Sequence, residues 1–248
     1  MIEQLFKLTG ETRDLEEMAQ SFQEGPATVK KIDEFFYLNL EMESHKSDEQ
    51  AISEGEFALE RMNAICLVKD ERFRTPRING ITRRDPVTGK IGPTIVYLQC
   101  HMQVRAGMRG TLTVTEADGT IRPRQPTFGE KVLNIALANE ALRETLRTYG
   151  TVQHDWCGLY TVLETIEKGN GGKIPRAWAT KREVDDFTST ACSYDAVGPG
   201  ARHGFGAGQK MAPRVTLGQA RALIRKLLRA WMDELIAQAS IRSSQPGS

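Results

Sequence analysis

The stretch of residues 121–150, IRPRQPTFGEKVLNIALANEALRETLRTYG, marks a change in the structure that the chain is expected to form. Its first part, Arg122-Pro123-Arg124-Gln125-Pro126, contains two prolines, which lack an N–H donor and oppose both helix interiors and central strands. Directly after it, Thr127 and Glu130 have the spacing of a capping box at a helix N-terminus. Apolar residues at helical spacing follow, up to a stop at Gly150. We therefore predict a boundary between residues 125 and 126.

Upstream of this boundary, we predict an α+β domain over residues 1–125 with an antiparallel sheet. Alternation of apolar and polar residues predicts strands over Ile32–Met42 and Thr94–Arg105 and a shorter one over Thr111–Thr115. Helical spacing predicts helices over Arg13–Phe22 and Ser53–Val68, the second capped by Ser53 and Glu56. The turn-forming residues 85–89, DPVTG, follow an arm at residues 74–84, and strands joined by short turns pair antiparallel.

Downstream of the boundary, we predict an all-helical domain over residues 126–242 and a disordered tail over 243–248. The first helix begins at the Thr127 box and continues to Gly150. Three further helix starts are predicted at Asp155, at the Thr180–Glu183 box and at the Thr216–Gln219 pair. The last helix has a wide apolar stripe, which indicates deep packing.

The net charge of +1 conceals blocks of opposite charge. The first 60 residues carry 5 basic and 15 acidic side chains, whereas residues 168–248 carry 13 basic and 6 acidic ones. Such a pattern indicates either a basic surface for an anionic partner or segments that neutralise each other within the fold. No apolar run reaches the roughly 20 residues that span a bilayer, and the N-terminus does not have the pattern of a signal peptide. We therefore expect a cytoplasmic protein without a membrane partner.

The cysteine and histidine content gives no sign of a metal site or a cofactor. The four cysteines are widely separated, so they form no zinc-binding pair and are expected to be free thiols. No HxxxH or HExxH pattern occurs among the 4 histidines. We expect neither a metal nor a cofactor.

Two basic features of the C-terminal half are candidates for binding an anion. The first is the glycine-rich stretch of residues 198–210, GPGARHGFGAGQK, which contains Arg202, His203 and Lys210. Glycine-rich backbone can turn its N–H groups toward an anion, and arginine binds phosphate with two parallel hydrogen bonds. The second is the row Arg221, Arg225 and Arg229, one helical turn apart. The alternative interpretations are a flexible loop for the first and a solvated helix face for the second.

The C-terminal half resembles a group of uncharacterised bacterial proteins. The resemblance lies in HDWCGLY at residues 154–160, WATK at 178–181, FTSTA at 187–191, ARHG at 201–204 and the helix that ends at Trp231. More loosely, it resembles the HEPN-type helical domains of bacterial abortive-infection and toxin proteins, which often are metal-independent ribonucleases. Their usual signature is an arginine, a polar residue and a histidine four to six residues after the arginine. Here His203 follows Arg202 directly, and Arg147 precedes His154 without the polar residue after it.

These features lead to three hypotheses on function. The first is a non-catalytic binding protein of a bacterial accessory or antiviral defence system, whose helical domain binds RNA or a nucleotide through Arg202, His203, Lys210 and the arginine row. The second is a HEPN-like ribonuclease, in which His203 is the acid or base and Arg202 stabilises charge on the phosphate. The third is a structural subunit whose acidic first 60 residues bind a protein partner. In each case we expect a homo-oligomer or a complex subunit.

Overall fold

The computed structural model describes residues 3–41, 48–85, 87–96, 124–203 and 212–244. For residues 48, 49, 96 and 242–244 it describes only the backbone. The chain divides into two compact units. The first comprises Met1–Met62 and Arg72–Asn134, and the second comprises Asn63–Glu71 and Ile135–Ser248. The predicted fold class, an α+β region followed by helices, is confirmed. The predicted domain limits at residues 125 and 242 stay a prediction.

The first unit is built on an antiparallel sheet with the strand order β2-β3-β1-β4-β5. The strands are β1 (Glu3–Thr9), β2 (Ala27–Ile32), β3 (Phe35–Leu40), β4 (Arg77–Arg84) and β5 (Ile95–Val96). The strand expected over Ile32–Met42 is confirmed only in β3, because Asp33 takes a left-handed turn (φ 53°) that joins β2 to β3. The strands predicted beyond residue 96, at 97–105 and 111–115, lie outside the described residues.

Helices α1 (Thr12–Ser21) and α2 (Asp48–Lys69) follow β1 and β3 in the chain. Both helices were expected, and Leu15, Met18 and Phe22 are buried. The predicted cap of the second helix is wrong, because α2 begins at Asp48 and Ser53 therefore lies inside it. At Gly55, a β-carbon would come within 3.0 Å of side-chain atoms of Phe6 and Ile78, so the glycine lets α2 pack closely on the sheet.

The helices after residue 126 are α3 (Phe128–Ala138), α4 (Glu140–Thr151), α5 (Trp156–Gly169), α6 (Lys181–Cys192), α7 (Tyr194–Val197) and α8 (Leu217–Ser244), with a 3-10 turn at Gly198–Gly200. The single helix predicted from Thr127 to Gly150 is two helices. Asn139 leaves the helical conformation, and its side chain accepts a hydrogen bond from the Leu142 N–H at 3.0 Å. A new cap therefore starts α4.

Four helix starts were predicted correctly. In three of them, the backbone N–H of each residue of the pair donates a hydrogen bond to the side chain of the other; the pairs are Thr127–Glu130, Thr180–Glu183 and Thr216–Gln219. In the fourth, Asp155 accepts a hydrogen bond from the Gly158 N–H at 2.8 Å. The core of the second unit lies among α4, α5 and α8, and its fully buried side chains include Leu142, Leu146, Leu159, Leu163, Leu227 and Leu228. Helix α8 continues to Ser244, two residues into the segment predicted to be disordered. Across the described residues, no helix is both long and apolar enough to cross a membrane.

Candidate binding surface on the helical unit

Two of the sequence segments that suggested function meet on one side of the second unit. The backbone N–H of Arg202 donates to the Ala191 carbonyl at 2.8 Å, which holds the start of the glycine-rich stretch at the end of α6. From there the Arg202 guanidinium reaches α5, where it lies 5.5 Å from the centre of the Tyr160 ring. It also contacts the Glu164 carboxylate at 3.4 Å. The HDWCGLY and ARHG segments thus form one surface.

Aromatic rings make up much of this surface. Trp156 and Tyr160 are one turn apart on α5, and both rings lie 6.3 Å from that of the fully buried Phe187 on α6. Phe187 therefore supports two rings that remain partly exposed. We call the group Trp156, Tyr160, Glu164, Arg202 and His203 the Arg202 surface.

Gly158 explains how the first turn of α5 takes its position. A β-carbon at this residue would lie 1.9 Å from the Gln153 carbonyl oxygen, a distance that no side chain allows. The glycine lets the chain before α5 pass directly against the helix, while Asp155 caps the Gly158 N–H. These two local features fix the direction in which Trp156 and Tyr160 extend from the helix.

The Arg202 surface contains an ion pair between Arg202 and Glu164, and both of its side chains are exposed to solvent. The side chains of Arg202 and Glu164 are 40% and 45% exposed, so their contact at 3.4 Å is loose and solvated. Burial raises the pKa of the Tyr160 phenol, and the neighbouring Cys192, Glu164 and Glu167 raise it further. Tyr160 is therefore a neutral hydrogen-bonding group at physiological pH. His203 is exposed beside Arg202.

The arginine row of α8 does not join this surface. The Arg221 Nε donates to the His154 carbonyl at 2.8 Å, Arg225 contacts Glu71 at 2.6 Å, and Arg229 contacts Asp233 at 2.9 Å. Each of the three guanidinium groups thus has a partner within the second unit. Lys210 lies outside the described residues. The predicted binding role of the three α8 arginines and of Lys210 stays a prediction. Of the predicted binding residues, the Arg202 surface contains Arg202 and His203.

Sequence reasoning missed the contribution of α5. Neither Trp156 nor Tyr160 was among the predicted binding residues, and the buried positions of α5 are Leu159, Val162, Leu163 and Ile166. The available signal was the spacing of Trp156, Tyr160 and Glu164, which recur every four residues and so lie on one helix face. What the sequence did not contain was the contact of that face with Arg202, which is 38 residues beyond Glu164.

A groove of about 390 Å³ lies between α6 and α8. Phe187 and Leu223 are part of its apolar lining. Its charged groups are matched in pairs, since Lys226 contacts Glu183 at 2.9 Å and Arg182 contacts Asp186 at 3.5 Å. The hydrogen bond from Lys226, together with those from Thr180, lowers the pKa of Glu183 to about 2. The groove therefore offers no unbalanced charge to an anion.

Within the described ranges, no three His, Cys, Asp or Glu side chains are grouped so that they could hold a metal ion. Cys66 is buried, Cys157 is exposed and Cys192 is partly exposed, and all three are free thiols. The Arg202 surface thus has an arginine, a histidine, a carboxylate and two aromatic rings as its chemical groups. In comparisons with known proteins, no family model, no curated protein and no solved structure matches the chain.

Proposed function

We propose that the second unit binds an anionic partner, RNA or a nucleotide, at the Arg202 surface. The observation that carries the proposal is the position of the Arg202 guanidinium over Tyr160, next to the partly exposed Trp156 ring. Arginine binds phosphate with paired hydrogen bonds, and bases stack on aromatic rings and on guanidinium planes. One surface thus has a group for the phosphate and groups for the base.

The loose Arg202–Glu164 contact supports the same proposal. Glu164 keeps the guanidinium in place in the free protein, yet a contact at 3.4 Å between exposed groups contributes little free energy. A phosphate with its higher charge can take the place of the carboxylate. By contrast, the α8 arginines Arg221 and Arg225 bind groups of their own unit more closely, at 2.8 and 2.6 Å. We therefore assign the binding role to Arg202 rather than to the arginine row.

The test is a binding titration of the purified chain with a fluorescently labelled RNA oligomer and with a nucleotide, at about 50 mM and about 200 mM salt. We expect salt-sensitive binding and quenching of the Trp156 fluorescence by a stacked base. Arg202→Ala should weaken this binding at least about tenfold, whereas the control Lys131→Ala, a change at an exposed cation of α3, should leave it unchanged. Binding that is insensitive both to salt and to Arg202→Ala would refute the proposal.

The exposed His203 beside Arg202 favours a second candidate, a metal-independent ribonuclease. In this version His203 transfers the proton, Arg202 stabilises the charge on the phosphate, and a homodimer supplies a second histidine. Incubation of end-labelled RNA in EDTA tests it, with Arg202→Ala/His203→Ala as the inactive variant. A monomer in light scattering, or cleavage that the double variant retains, contradicts it. The looser resemblance to HEPN-type domains supports a role in a bacterial accessory or defence system for both candidates, and we place that role in the cytoplasm.

A further inference from the structure

The segment that joins α5 to α6 carries five cations and no acidic residue. It comprises residues 168–182, KGNGGKIPRAWATKR, and its charged side chains are Lys168, Lys173, Arg176, Lys181 and Arg182. All five are exposed. We call this stretch the basic segment.

The basic segment differs from the arginine row of α8 because most of its charge is unmatched. Arg182 contacts Asp186 at 3.5 Å. Among the residues that the structure describes, Lys168, Lys173, Arg176 and Lys181 have no ion-pair partner. Cations that are exposed and unmatched repel one another, and this unfavourable energy is relieved when a polyanion binds. The segment therefore has unmatched positive charge at the surface.

The segment also has a defined conformation. The N–H groups of Asn170 and Gly172 donate to the Glu167 carbonyl at 3.0 and 2.8 Å, which closes the end of α5. Further along, the buried Trp178 donates its indole N–H to Glu234 on α8 at 3.0 Å, and its ring packs against Trp231. The buried indole anchors the segment, so that the cations on either side of it are held at the surface.

Helix α5 connects the basic segment with the Arg202 surface. Tyr160, Glu164 and Lys168 are each four residues apart, so they lie along one face of the helix. At a rise of 1.5 Å per residue, Lys168 lies about 12 Å along the axis from Tyr160. This distance is several times the roughly 3.4 Å of helix axis per phosphate along one strand of a duplex. A phosphate bound at the Tyr160 end of the Arg202 surface is therefore too far along the helix axis to contact Lys168 as well.

From this arrangement we infer that the anionic partner is a single-stranded polynucleotide, whose backbone runs from Arg202 along α5 onto the basic segment. The inference rests on the proposed function and specifies its ligand. An unpaired strand fits because the Trp156 and Tyr160 rings can stack only on bases that are not already paired. The phosphates that follow the stacked bases are then neutralised by Lys168, Lys173 and Arg176.

The experiment compares Lys168→Gln/Lys173→Gln/Arg176→Gln with Lys30→Gln/Lys90→Gln/Lys131→Gln, which removes the same charge from exposed sites of the first unit. Affinity for an oligouridylate of about 12 nucleotides and for uridine monophosphate is measured over a range of salt concentrations. The first variant should bind the oligomer about tenfold more weakly or worse, with a salt slope smaller by about 2, because each neutralised phosphate of a single strand contributes about 0.7. Its affinity for the mononucleotide should be unchanged, and the control variant should behave as the wild type.

Other outcomes would contradict the inference, and they distinguish its failure from the failure of the proposed function. If the basic-segment variant binds the oligomer as tightly as the wild type while Arg202→Ala does not, the polynucleotide inference fails and the proposed function stands. Equal affinity of the wild type for oligomer and mononucleotide, or tighter binding of a duplex, also overturns the inference. If the wild type binds none of these ligands, the proposed function fails together with the inference.

Discussion

Each unit of this protein contains an arginine–glutamate contact, and the two contacts differ in their distance and in the burial of the glutamate. In the first unit, Arg124 contacts Glu130 at 2.8 Å, and the glutamate side chain is only 2% exposed. In the second unit, Arg202 contacts Glu164 at 3.4 Å, and both side chains are about half exposed. The same two side-chain types thus form a buried, tightly bonded contact in one unit and a loose, solvated one in the other.

The hydrogen bonds of Glu130 explain its importance for stability. Its carboxylate accepts hydrogen bonds from the backbone N–H groups of Gln23, Glu24 and Thr127 at 2.7–2.8 Å, besides the one from Arg124. It thereby joins the end of α1 to the start of α3 within the first unit. Glu164 has no comparable set of donors among the described residues. The comparison indicates that the first contact maintains the fold and that the second can exchange its carboxylate for a ligand.

The largest effect is expected for Glu130→Ala. Removal of the carboxylate leaves three partly buried N–H groups without their acceptor and leaves Arg124 with Glu24 as its remaining carboxylate partner, and we expect a loss of about 3 kcal/mol in the free energy of unfolding. Urea denaturation followed by circular dichroism measures it. The matched control is Glu183→Ala, which removes the exposed glutamate of the Thr180 capping box and should cost about 1 kcal/mol. Equal losses for the two variants would show that burial does not distinguish them.

The stability provided by Glu130 should also depend on pH. Burial by itself would raise the pKa of Glu130, but the hydrogen bonds from Arg124 and from three backbone N–H groups outweigh it and hold the pKa below its ordinary value of 4.5. The folded state therefore binds the proton less readily than the unfolded state. The contribution is fully present above pH 4.5 and is lost as the pH falls through the lowered pKa.

The measurement is the difference in unfolding free energy between the wild type and Glu130→Gln, followed from neutral pH down to about pH 3. We expect this difference to shrink toward acidic pH, because the wild-type side chain then becomes neutral as well. A difference that stays constant with pH would mean that the charge of Glu130 plays no part.

Arg202→Ala should have the opposite consequences from Arg124→Ala. We expect Arg202→Ala to weaken RNA binding at least about tenfold, equivalent to about 1.4 kcal/mol, and to change the unfolding free energy by less than about 0.5 kcal/mol. Arg124→Ala should lower stability by about 1–2 kcal/mol because it leaves Glu130 buried without its cation, while RNA binding is retained. Anisotropy titration and urea denaturation of both variants provide the test. If both variants lose the same property, the two contacts have the same role.

The features that sequence reasoning predicted correctly are local ones. The capping boxes at Thr127, Thr180 and Thr216 depend on residues three positions apart, so a short window of sequence contains the whole interaction. Strand β1 escaped prediction because it is central, between β3 and β4, and is covered on both faces. Leu5 and Phe6 are consecutive and both buried, which removes the alternation that identifies a strand with one solvated face.

The sequence shows which residues are charged, but it does not show which of them have partners in the folded protein. Arg225 pairs with Glu71, 154 residues away, and Arg221 with the His154 carbonyl, 67 residues away. No local pattern could show that these cations have partners while, among the described residues, four of the five cations of the basic segment have no ion-pair partner. Likewise, Asp14 and Glu17 of the acidic first block are buried, so the block is less acidic at the surface than its composition suggests.

The smallest effect, and the sharpest test of the loose contact, is expected for Glu164→Gln. The variant removes the carboxylate that competes with a phosphate for Arg202 and also removes a negative charge from the path between Tyr160 and Lys168. We therefore expect RNA affinity to rise about threefold, since an exposed ion pair contributes only some tenths of a kcal/mol. Stability should stay within about 0.5 kcal/mol of the wild type. Glu144→Gln, the same change at an exposed position of α4, should leave RNA affinity as it is. If Glu164→Gln instead weakens binding, the carboxylate orients Arg202 for its ligand, and the Arg202–Glu164 pair resembles the Arg124–Glu130 pair after all.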